Sequence, residues 1–374
     1  MLQLFDAYPP RLQVTSDCRS WQGHGRLAVC GSCGIVQKQV DQDWLLEIVK
    51  IYNGYNVYAQ SQGMEQLSFE LGSGDGKARS QKIVGWIKSQ ASLPKSGLML
   101  DIGCGNGAFL RAFGDEHPQW QLIGSELDDR NRVRIEAIPQ VVRFHAGPLG
   151  DIQDRFDLIV MIHALEHIPD PVAFLSLLHT MLKPDGLLLV QVPDLSKSPF
   201  DILIADHCTH FSKETLGTVV QRSRFQTLCL VDTCVAKELT LLAKAVPKTA
   251  SSPPLLSPCI SLGPPDRDVA IQHIDWLHDL LIQAGEMQAP VGIFGSSISS
   301  SWLAAAIGES ALFFVDEDAG RVGKFHQGLP IIAPKDVPDK VPILMPIRHD
   351  LASSIARRLS STLPSLIEPP APPR

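Results

Sequence analysis

Short apolar runs alternate with helix-length amphipathic stretches through the middle of the chain. Runs at 98–102, 120–127 and 141–144, a run beginning at Phe156, and a run at 187–192 have the length and apolar content of buried strands. Stretches with helical spacing lie between them at 108–113, 172–181 and 213–222. Two further runs, 225–231 and 238–246, are separated by a short turn. This alternation predicts an α/β fold built on a mostly parallel sheet.

The same pattern divides the remainder of the chain into smaller regions. A short segment over 1–40 precedes a helical bridge or lid over 41–93, with helices predicted at 43–51 and 77–90. The central α/β domain spans 94–246, and a linker rich in proline and serine spans 247–266. Alternating strands and helices then predict a second, smaller α/β domain over 267–362. The proline-rich end, 363–374, is expected to be disordered.

A glycine turn directly follows the first central strand. Asp101 lies near the end of that strand, and Gly103, Gly105 and Gly107 follow at alternate positions. A turn without Cβ atoms lets the backbone approach a ligand closely, as in nucleotide-type cofactor sites. The spacing fits both a dinucleotide site and the pattern Asp-x-Gly-x-Gly-x-Gly. Asp101 suits a ligand with an ammonium group, such as S-adenosylmethionine (SAM), whereas Glu126 would accept hydrogen bonds from the ribose of either cofactor.

Four short motifs in a fixed order extend this pattern. They are Asp-Ile-Gly-Cys-Gly-Asn-Gly at 101–107, Phe-Asp-Leu-Ile at 156–159, Leu-Glu-His-Ile-Pro-Asp-Pro at 165–171 and Leu-Lys-Pro-Asp-Gly at 182–186. Together they make residues 95–246 resemble the class I SAM-dependent methyltransferases. The resemblance implies a Rossmann-like domain whose seven-stranded, mostly parallel sheet has an antiparallel last strand. It also implies a SAM site formed by Asp101, Gly103, Cys104, Gly105, Gly107, Glu126, Leu127 and His163.

A histidine-containing segment after the fifth strand resembles one particular group of these methyltransferases. Residues 202–212, Ile-Leu-Ile-Ala-Asp-His-Cys-Thr-His-Phe-Ser, resemble the Tyr-His-Glu-His-x-Ser-Tyr segment of the bacterial sugar C-methyltransferases. Asp206 and His207 match that segment, while Ile204 stands where that family has tyrosine. Residues 315–316, 323–324 and 328–331 resemble the C-terminal domain of the same enzymes. The resemblance implies that His207, oriented by Asp206, is the general base in methyl transfer to carbon of a nucleotide-linked sugar derivative.

Other functions remain open at the level of the sequence. An O-methyltransferase acting on a polysaccharide or natural product would use the same fold, and a non-catalytic SAM-binding scaffold would bind partners through its outer domains. A nucleic-acid methyltransferase is disfavoured by the net charge of −7 and the lack of a basic stretch. We therefore expect an enzyme with a small-molecule acceptor. The sequence leaves its acceptor and its oligomeric state open.

Three of the eight cysteines cluster near the N-terminus. Cys30 and Cys33 have the Cys-x-x-Cys-Gly spacing of a zinc knuckle, and Cys18 and His24 are available as third and fourth ligands. Four protein ligands would leave the metal no open position, so a bound zinc would be structural. The alternative is a pair of reduced cysteines in a loop that binds no metal.

The tyrosines and the start of the chain give two further expectations. Three of the four tyrosines fall within 52–58, where they are expected to pack between domains, with a lid over the cofactor as the alternative. No apolar run approaches the roughly 18 residues that span a bilayer. Asp6 and two prolines occupy the place where a signal peptide has its apolar stretch, so the cytoplasm is the predicted location.

Overall fold

The structure is a computed structural model that describes residues 2–4, 12–23, 25–55, 67–69, 76–247 and 266–371. His24, Tyr58 and most of the predicted linker lie outside the described residues. Within the described part of the chain, no helix combines the length and the apolar character needed to cross a membrane.

The N-terminal region is a set of short antiparallel strands and two helices. Its elements are β1 (Leu2–Leu4), β2 (Leu12–Val14), β3 (Ser20–Gln22), β4 (Leu27–Cys30), β5 (Val36–Lys38), α1 (Gln42–Asn53), β6 (Leu67–Phe69), β7 (Gly76–Ala78) and α2 (Arg79–Gln90). Asp41 caps α1 by accepting a hydrogen bond from the backbone N–H of Trp44. Trp44 and Ile51 are the buried residues of α1, as expected for an amphipathic helix.

The central domain contains the large sheet. Its elements are β8 (Leu98–Ile102), α3 (Ala108–Glu116), β9 (Gln121–Glu126), α4 (Arg132–Glu136), β10 (Val141–Ala146), β11 (Phe156–Ile162), α5 (Pro171–Met181), β12 (Leu182–Pro193), β13 (Thr209–His210), α6 (Lys213–Arg222), β14 (Phe225–Val231) and β15 (Glu238–Ala245). Single 3₁₀ turns occupy Leu149–Asp151, Leu165–His167 and Asp201–Leu203.

The strand order of this sheet is β10-β9-β8-β11-β12-β15-β14. The pairs from β10 to β12 are parallel, whereas β15 runs antiparallel to both β12 and β14. The predicted Rossmann-like, seven-stranded sheet with its antiparallel last strand is therefore confirmed. After β8 the chain moves first towards β9 and β10 and then to β11 on the other side. This reversal opens a crevice at the carboxyl ends of the strands, where ligands of such sheets bind.

The predicted second α/β unit is also confirmed. Its elements are α7 (Asp266–Gly285), β16 (Val291–Phe294), α8 (Ile298–Ile307), β17 (Ala311–Val315), β18 (Phe325–His326), β19 (Leu329–Ile332), β20 (Ile343–Leu344), α9 (His349–Leu359) and β21 (Leu366–Ile367), with 3₁₀ turns at Gly308–Ser310 and Pro334–Asp336. The sheet order is β18-β19-β17-β16-β20-β21. All neighbours are parallel except β18 and β19.

The expectation that the chain is disordered from residue 363 is wrong for residues 363–371. β21 extends the C-terminal sheet by pairing in parallel with β20. The side chain of Leu363 is buried, and the indole N–H of Trp276 donates to the carbonyl oxygen of Pro370 over 2.9 Å. The prolines of this segment favoured disorder because proline has no backbone N–H to donate. Pro369 and Pro370 follow the edge strand β21, where no sheet hydrogen bond is lost.

Contacts between the three regions enclose the crevice. β5 pairs with β13, so the N-terminal strands share a sheet with the segment that carries His207. Trp302 of α8 is fully buried and donates from its indole N–H to the carbonyl oxygen of Leu12. Phe200 packs edge-on against both Trp276 and Trp302. The loop after β12 is thereby held between the outer regions.

Candidate active site

A cavity of about 2090 Å³ lies at the carboxyl ends of β8, β9 and β11. Its walls come from the glycine turn, from α1 and α2, from the loop 193–207 and from the C-terminal unit. Pockets for a single drug-sized ligand have volumes of about 300–1,000 Å³. The cavity therefore has room for a nucleoside cofactor and a second substrate side by side.

The glycine turn forms one wall of this cavity. Gly103, Gly105 and Gly107 have φ values of +70°, +54° and +79°, which residues with a Cβ rarely adopt. A Cβ on Gly103 would lie 3.2 Å from the Cβ of Ala164. Gly103, Gly105 and the intervening Cys104 line the cavity. Their backbones can therefore approach a bound cofactor.

Gly107 differs in position from the other two glycines of the turn. It is not among the residues that line the cavity, and it forms the N-cap of α3. A Cβ there would meet the side chains of Ile135 and Ile138 at 2.7 and 2.6 Å. Glycine at this position therefore allows the positive φ and the close packing of Ile135 and Ile138 against the turn.

Two carboxyl groups, the buried Asp101 and the half-buried Glu126, face the cavity from the ends of β8 and β9. Burial, with the nearby Glu126 as a second cause, raises the pKa of Asp101 well above its ordinary value. The Oδ2 atom of Asp101 has no hydrogen-bond partner among the described residues. Glu126 accepts a hydrogen bond from the backbone N–H of Gly105 over 2.5 Å, and burial raises its pKa. An unpartnered buried acceptor is the kind of group that a ligand ammonium would satisfy.

His163 and Leu127 complete the predicted cofactor wall. Both line the cavity, and His163 has a positive φ of +51° directly after β11. Its two ring nitrogens lie 3.0 Å from Glu166 and 3.0 Å from Glu238. Burial opposes protonation of His163, but Glu238 and the bond to Glu166 outweigh it and raise the pKa to about 9. His163 is therefore a cation held between two carboxylates, a poor candidate for a base.

His207 lies on the wall of the same cavity, as the segment resemblance required for a base. Its Nδ1 donates to Oδ1 of Asp201 over 2.7 Å, and His210 makes a similar 2.6 Å bond to Oδ2. Burial opposes protonation of His207, but Asp201 raises its pKa above the ordinary value. The carboxylate fixes Nδ1 as the protonated nitrogen, so Nε2 carries the lone pair when the ring is neutral.

The expectation that Asp206 orients His207 is wrong. Asp206 does not line the cavity, and its carboxylate accepts hydrogen bonds from the backbone N–H and hydroxyl of Ser16, at 2.8 and 2.5 Å. A turn at residues 204–207, closed by the hydrogen bond from the His207 backbone N–H to the carbonyl oxygen of Ile204, separates the Asp206 carboxylate from the imidazole. Asp206 instead joins the segment of His207 to the N-terminal region.

Sequence reasoning missed three cavity residues that lie close to His207. They are Asp201, which belongs to no recognisable motif, and His167 and Tyr52, for which the sequence predicts no catalytic role. The imidazoles of His167 and His207 are 4.6 Å apart at their centroids, and the Tyr52 hydroxyl is 3.1 Å from Nδ1 of His167. Tyr55 also lines the cavity, so both described tyrosines have the position of a cavity wall and not only of interdomain packing. His167 could have been found from the sequence, because it belongs to the Leu-Glu-His-Ile-Pro-Asp-Pro motif at 165–171.

The three thiols of the predicted zinc site do not converge. Cys30 and Cys33 lie on the turn between β4 and β5, and their side chains interact with each other. Cys18 lies in the separate β2–β3 turn and lines the cavity. Among the described residues, three potential metal ligands come within 4.8 Å of one another only at Glu166, His167 and His207. Cys18 as a third ligand is therefore wrong, His24 lies outside the described residues, and zinc at Cys30 and Cys33 stays a prediction.

Comparisons with known proteins agree with the geometry of the central domain. Residues 77–230 match a family model described as a methyltransferase domain. A ubiquinone biosynthesis O-methyltransferase of Cereibacter sphaeroides is 30% identical over 126 residues, which are 31% of this chain and 48% of the relative. A trans-aconitate 2-methyltransferase of Deinococcus radiodurans is 33% identical over 98 residues, 25% of this chain and 37% of the relative. The chain thus spans half or less of the length of these curated relatives.

Among solved structures, the methyltransferase CalO1 of calicheamicin biosynthesis, in its S-adenosylhomocysteine-bound form, is similar at 19% identity with a TM-score of 0.38. The similarity covers 45% of this chain and 54% of that one, and is too low to support an inference about function. The match to a methyltransferase domain over residues 77–230 agrees with the sheet order of the central domain.

Proposed function

We propose that this protein is a SAM-dependent methyltransferase that transfers a methyl group to carbon of a small molecule, a nucleotide-linked sugar derivative. The observation that carries the proposal is the Asp201–His207 pair on the wall of the cavity that also contains Asp101 and Glu126. One cavity thus brings a candidate base to the predicted cofactor site. Methyl transfer from a sulfonium needs positioning and a proton acceptor rather than a covalent nucleophile.

In the proposed reaction, Nε2 of neutral His207 takes the proton from the carbon next to a carbonyl group of the acceptor. The resulting enolate carbon attacks the SAM methyl group, so that a carbon–carbon bond forms while the methyl–sulfur bond breaks and S-adenosylhomocysteine leaves. Asp201 holds the imidazole in the required tautomer and stabilises the imidazolium. A positioned base of this kind contributes about 10²–10⁴-fold to a rate.

The C-terminal side of the cavity supports an acceptor that carries phosphate. Arg321, Arg348 and Arg358 line this side, together with residues 297–299 at the start of α8. Backbone N–H groups at the start of a ten-residue helix and guanidinium groups are both suited to phosphate oxygens. Each arginine is held by at least one carboxylate, which fixes the position of its guanidinium group.

A second candidate is O-methylation of a natural product or polysaccharide. It is favoured by the similarity to a ubiquinone biosynthesis O-methyltransferase. The same base would then take a hydroxyl proton, and oxygen would attack the methyl group. A non-catalytic SAM-binding scaffold is the remaining alternative.

The three functions give different outcomes with SAM labelled with ¹³C in the methyl group. Mass spectrometry of ligand that co-purifies with the protein would identify the acceptor, which is then supplied in the labelled reaction. Carbon transfer predicts a product whose labelled methyl carbon is bonded to carbon in its NMR spectrum. A label bonded to oxygen would support the second candidate, and binding of SAM without any labelled product would support the scaffold.

A further inference from the structure

Glu166, His167 and His207 form a cluster on the floor of the cavity, outside the predicted cysteine site. One ligand atom from each residue lies within 4.8 Å of the other two. Glu166 and His207 are buried, and His167 is half-buried. His167 and His207 line the cavity, so the cluster is open on that side.

We propose that these three residues form a binding site for a divalent transition-metal ion of the zinc class. Two imidazoles and one carboxylate are the ligand set of catalytic zinc sites that keep a fourth position open. A tetrahedral ion with bonds of about 2.0–2.2 Å holds its ligand atoms about 3.4 Å apart, so the three side chains would move closer together on binding it. The open position would face the cavity.

Hydrogen bonds already orient the two imidazoles for this role. His167 donates from Nδ1 to the backbone carbonyl oxygen of Asp206 over 2.9 Å, and His207 donates from Nδ1 to Asp201. A carbonyl oxygen and an ionised carboxylate can only accept, so in each neutral ring the proton is on Nδ1 and the lone pair on Nε2. Metal-bound histidines are oriented by the same kind of bond from the nitrogen that does not bind the metal.

The carboxylate of the cluster has an unused acceptor. Oε1 of Glu166 lies 3.0 Å from Nδ1 of His163, but its buried Oε2 has no hydrogen-bond partner among the described residues. Leaving a buried carboxylate oxygen unpartnered costs free energy, and a cation at the cluster would remove that cost. The unpartnered Oε2 atom thus supports a bound cation independently of the spacing of the three ligand atoms.

The charges around the cluster also favour a cation. Four buried carboxyl groups belong to the cluster or lie beside it: Glu166, Asp201, Asp206 and Glu238. Arg79 pairs with Glu238, and the buried Lys38 lies near Asp201 and Asp206. The four carboxyl groups outnumber the three basic side chains nearby, Arg79, Lys38 and His163, so the surroundings of the cluster attract a cation.

A cation at the cluster and a proton removed from the acceptor would compete for the same lone pair of His207. Added Zn²⁺ should therefore inhibit methyl transfer. That consequence rests on the proposed function, whereas binding of the ion does not and is measured without turnover.

The test titrates Co²⁺ into the full chain carrying Cys30→Ser and Cys33→Ser, which removes the thiol pair as a competing site. We expect one Co²⁺ per chain, with visible absorption of a nitrogen–oxygen site and without thiolate charge-transfer bands. Glu166→Gln in this background should weaken Co²⁺ binding at least about 10-fold, and His167→Gln should do the same. Glu116→Gln, which removes an exposed carboxylate on α3 paired with Lys88, should retain the affinity.

Circular dichroism of each variant confirms that it is folded before its affinity is compared. The proposal is overturned if the cysteine-free background binds no Co²⁺. It is equally overturned if folded Glu166→Gln and His167→Gln variants both bind Co²⁺ as tightly as the background.

Discussion

The Nδ1 atom of His207 lies 2.7 Å from Oδ1 of Asp201, while the carboxylate of Asp206, its neighbour in sequence, binds Ser16. The acid that orients the candidate base is thus six positions earlier in the chain. The 3₁₀ turn Asp201–Leu203 and the hydrogen bond from the His207 backbone N–H to Ile204 fold the segment back on itself. Catalysis should therefore depend on Asp201 and not on Asp206.

His207→Ala should lower kcat at least about 10²-fold and leave SAM affinity almost unchanged, because the base contacts the acceptor and not the cofactor. Asp201→Asn should lower kcat with little change in the acceptor KM, since the amide no longer fixes the tautomer. His210→Gln is the matched control, because His210 shares Asp201 but does not line the cavity. Steady-state kinetics with calorimetry of SAM binding separates these effects. Near-normal turnover of folded His207→Ala would exclude the base role.

Binding of SAM should release a proton from Asp101. Burial and then Glu126 raise the pKa of Asp101, so the carboxyl group holds its proton in the free protein at pH values below that raised pKa. The ligand ammonium stabilises the ionised carboxylate, so affinity should rise as pH increases towards the raised pKa and level off above it. Calorimetry in buffers with different ionisation enthalpies measures the released proton.

Asp101→Asn is the control for this linkage, because it keeps the size of the side chain and removes the titration. The variant should show weaker SAM binding and no proton release linked to this site. Equal proton release in the wild type and the variant would show that another group is responsible.

Residues 363–371 should contribute to the stability of the C-terminal unit. Leu363 is 2% exposed, so Leu363→Ala should lower the free energy of unfolding by about 2–5 kcal/mol. Leu312, a strand residue of the same unit, is 40% exposed, and Leu312→Ala should cost much less. Thermal unfolding followed by circular dichroism compares the two variants. Equal transition temperatures would mean that the end of the chain does not pack as described.

The central sheet could be predicted because its strands are buried and apolar and the turns between them are distinctive. β8 and β14 have the predicted bounds, and α6 begins and ends at the predicted residues. α8 begins at Ile298, within a run of serines. The serines at its start have low helix propensity, but their side chains pack into the buried interface with β16 and His326.

The contacts that build the site could not be predicted, because they join residues that are distant in sequence. The pairing of β5 with β13 involves two residues of a loop, too few for a strand pattern. Asp201 is one acidic residue in a single turn, and nothing in the periodicity distinguishes it from Asp206. Cys18 was grouped with Cys30 and Cys33 by proximity in sequence, although separate hairpins hold them apart.

The central claim is that the glycine turn, Asp101 and Glu126 hold SAM, and calorimetric titration with SAM, S-adenosylhomocysteine and NAD tests it most directly. We predict that SAM and S-adenosylhomocysteine bind, that NAD does not, and that Glu126→Ala weakens SAM binding by about 1–3 kcal/mol through loss of a buried hydrogen-bonding partner. Glu136→Ala, at an exposed salt bridge with Arg132, should leave the affinity unchanged. Tighter binding of NAD than of SAM, or SAM binding that Glu126→Ala does not alter, would contradict the account.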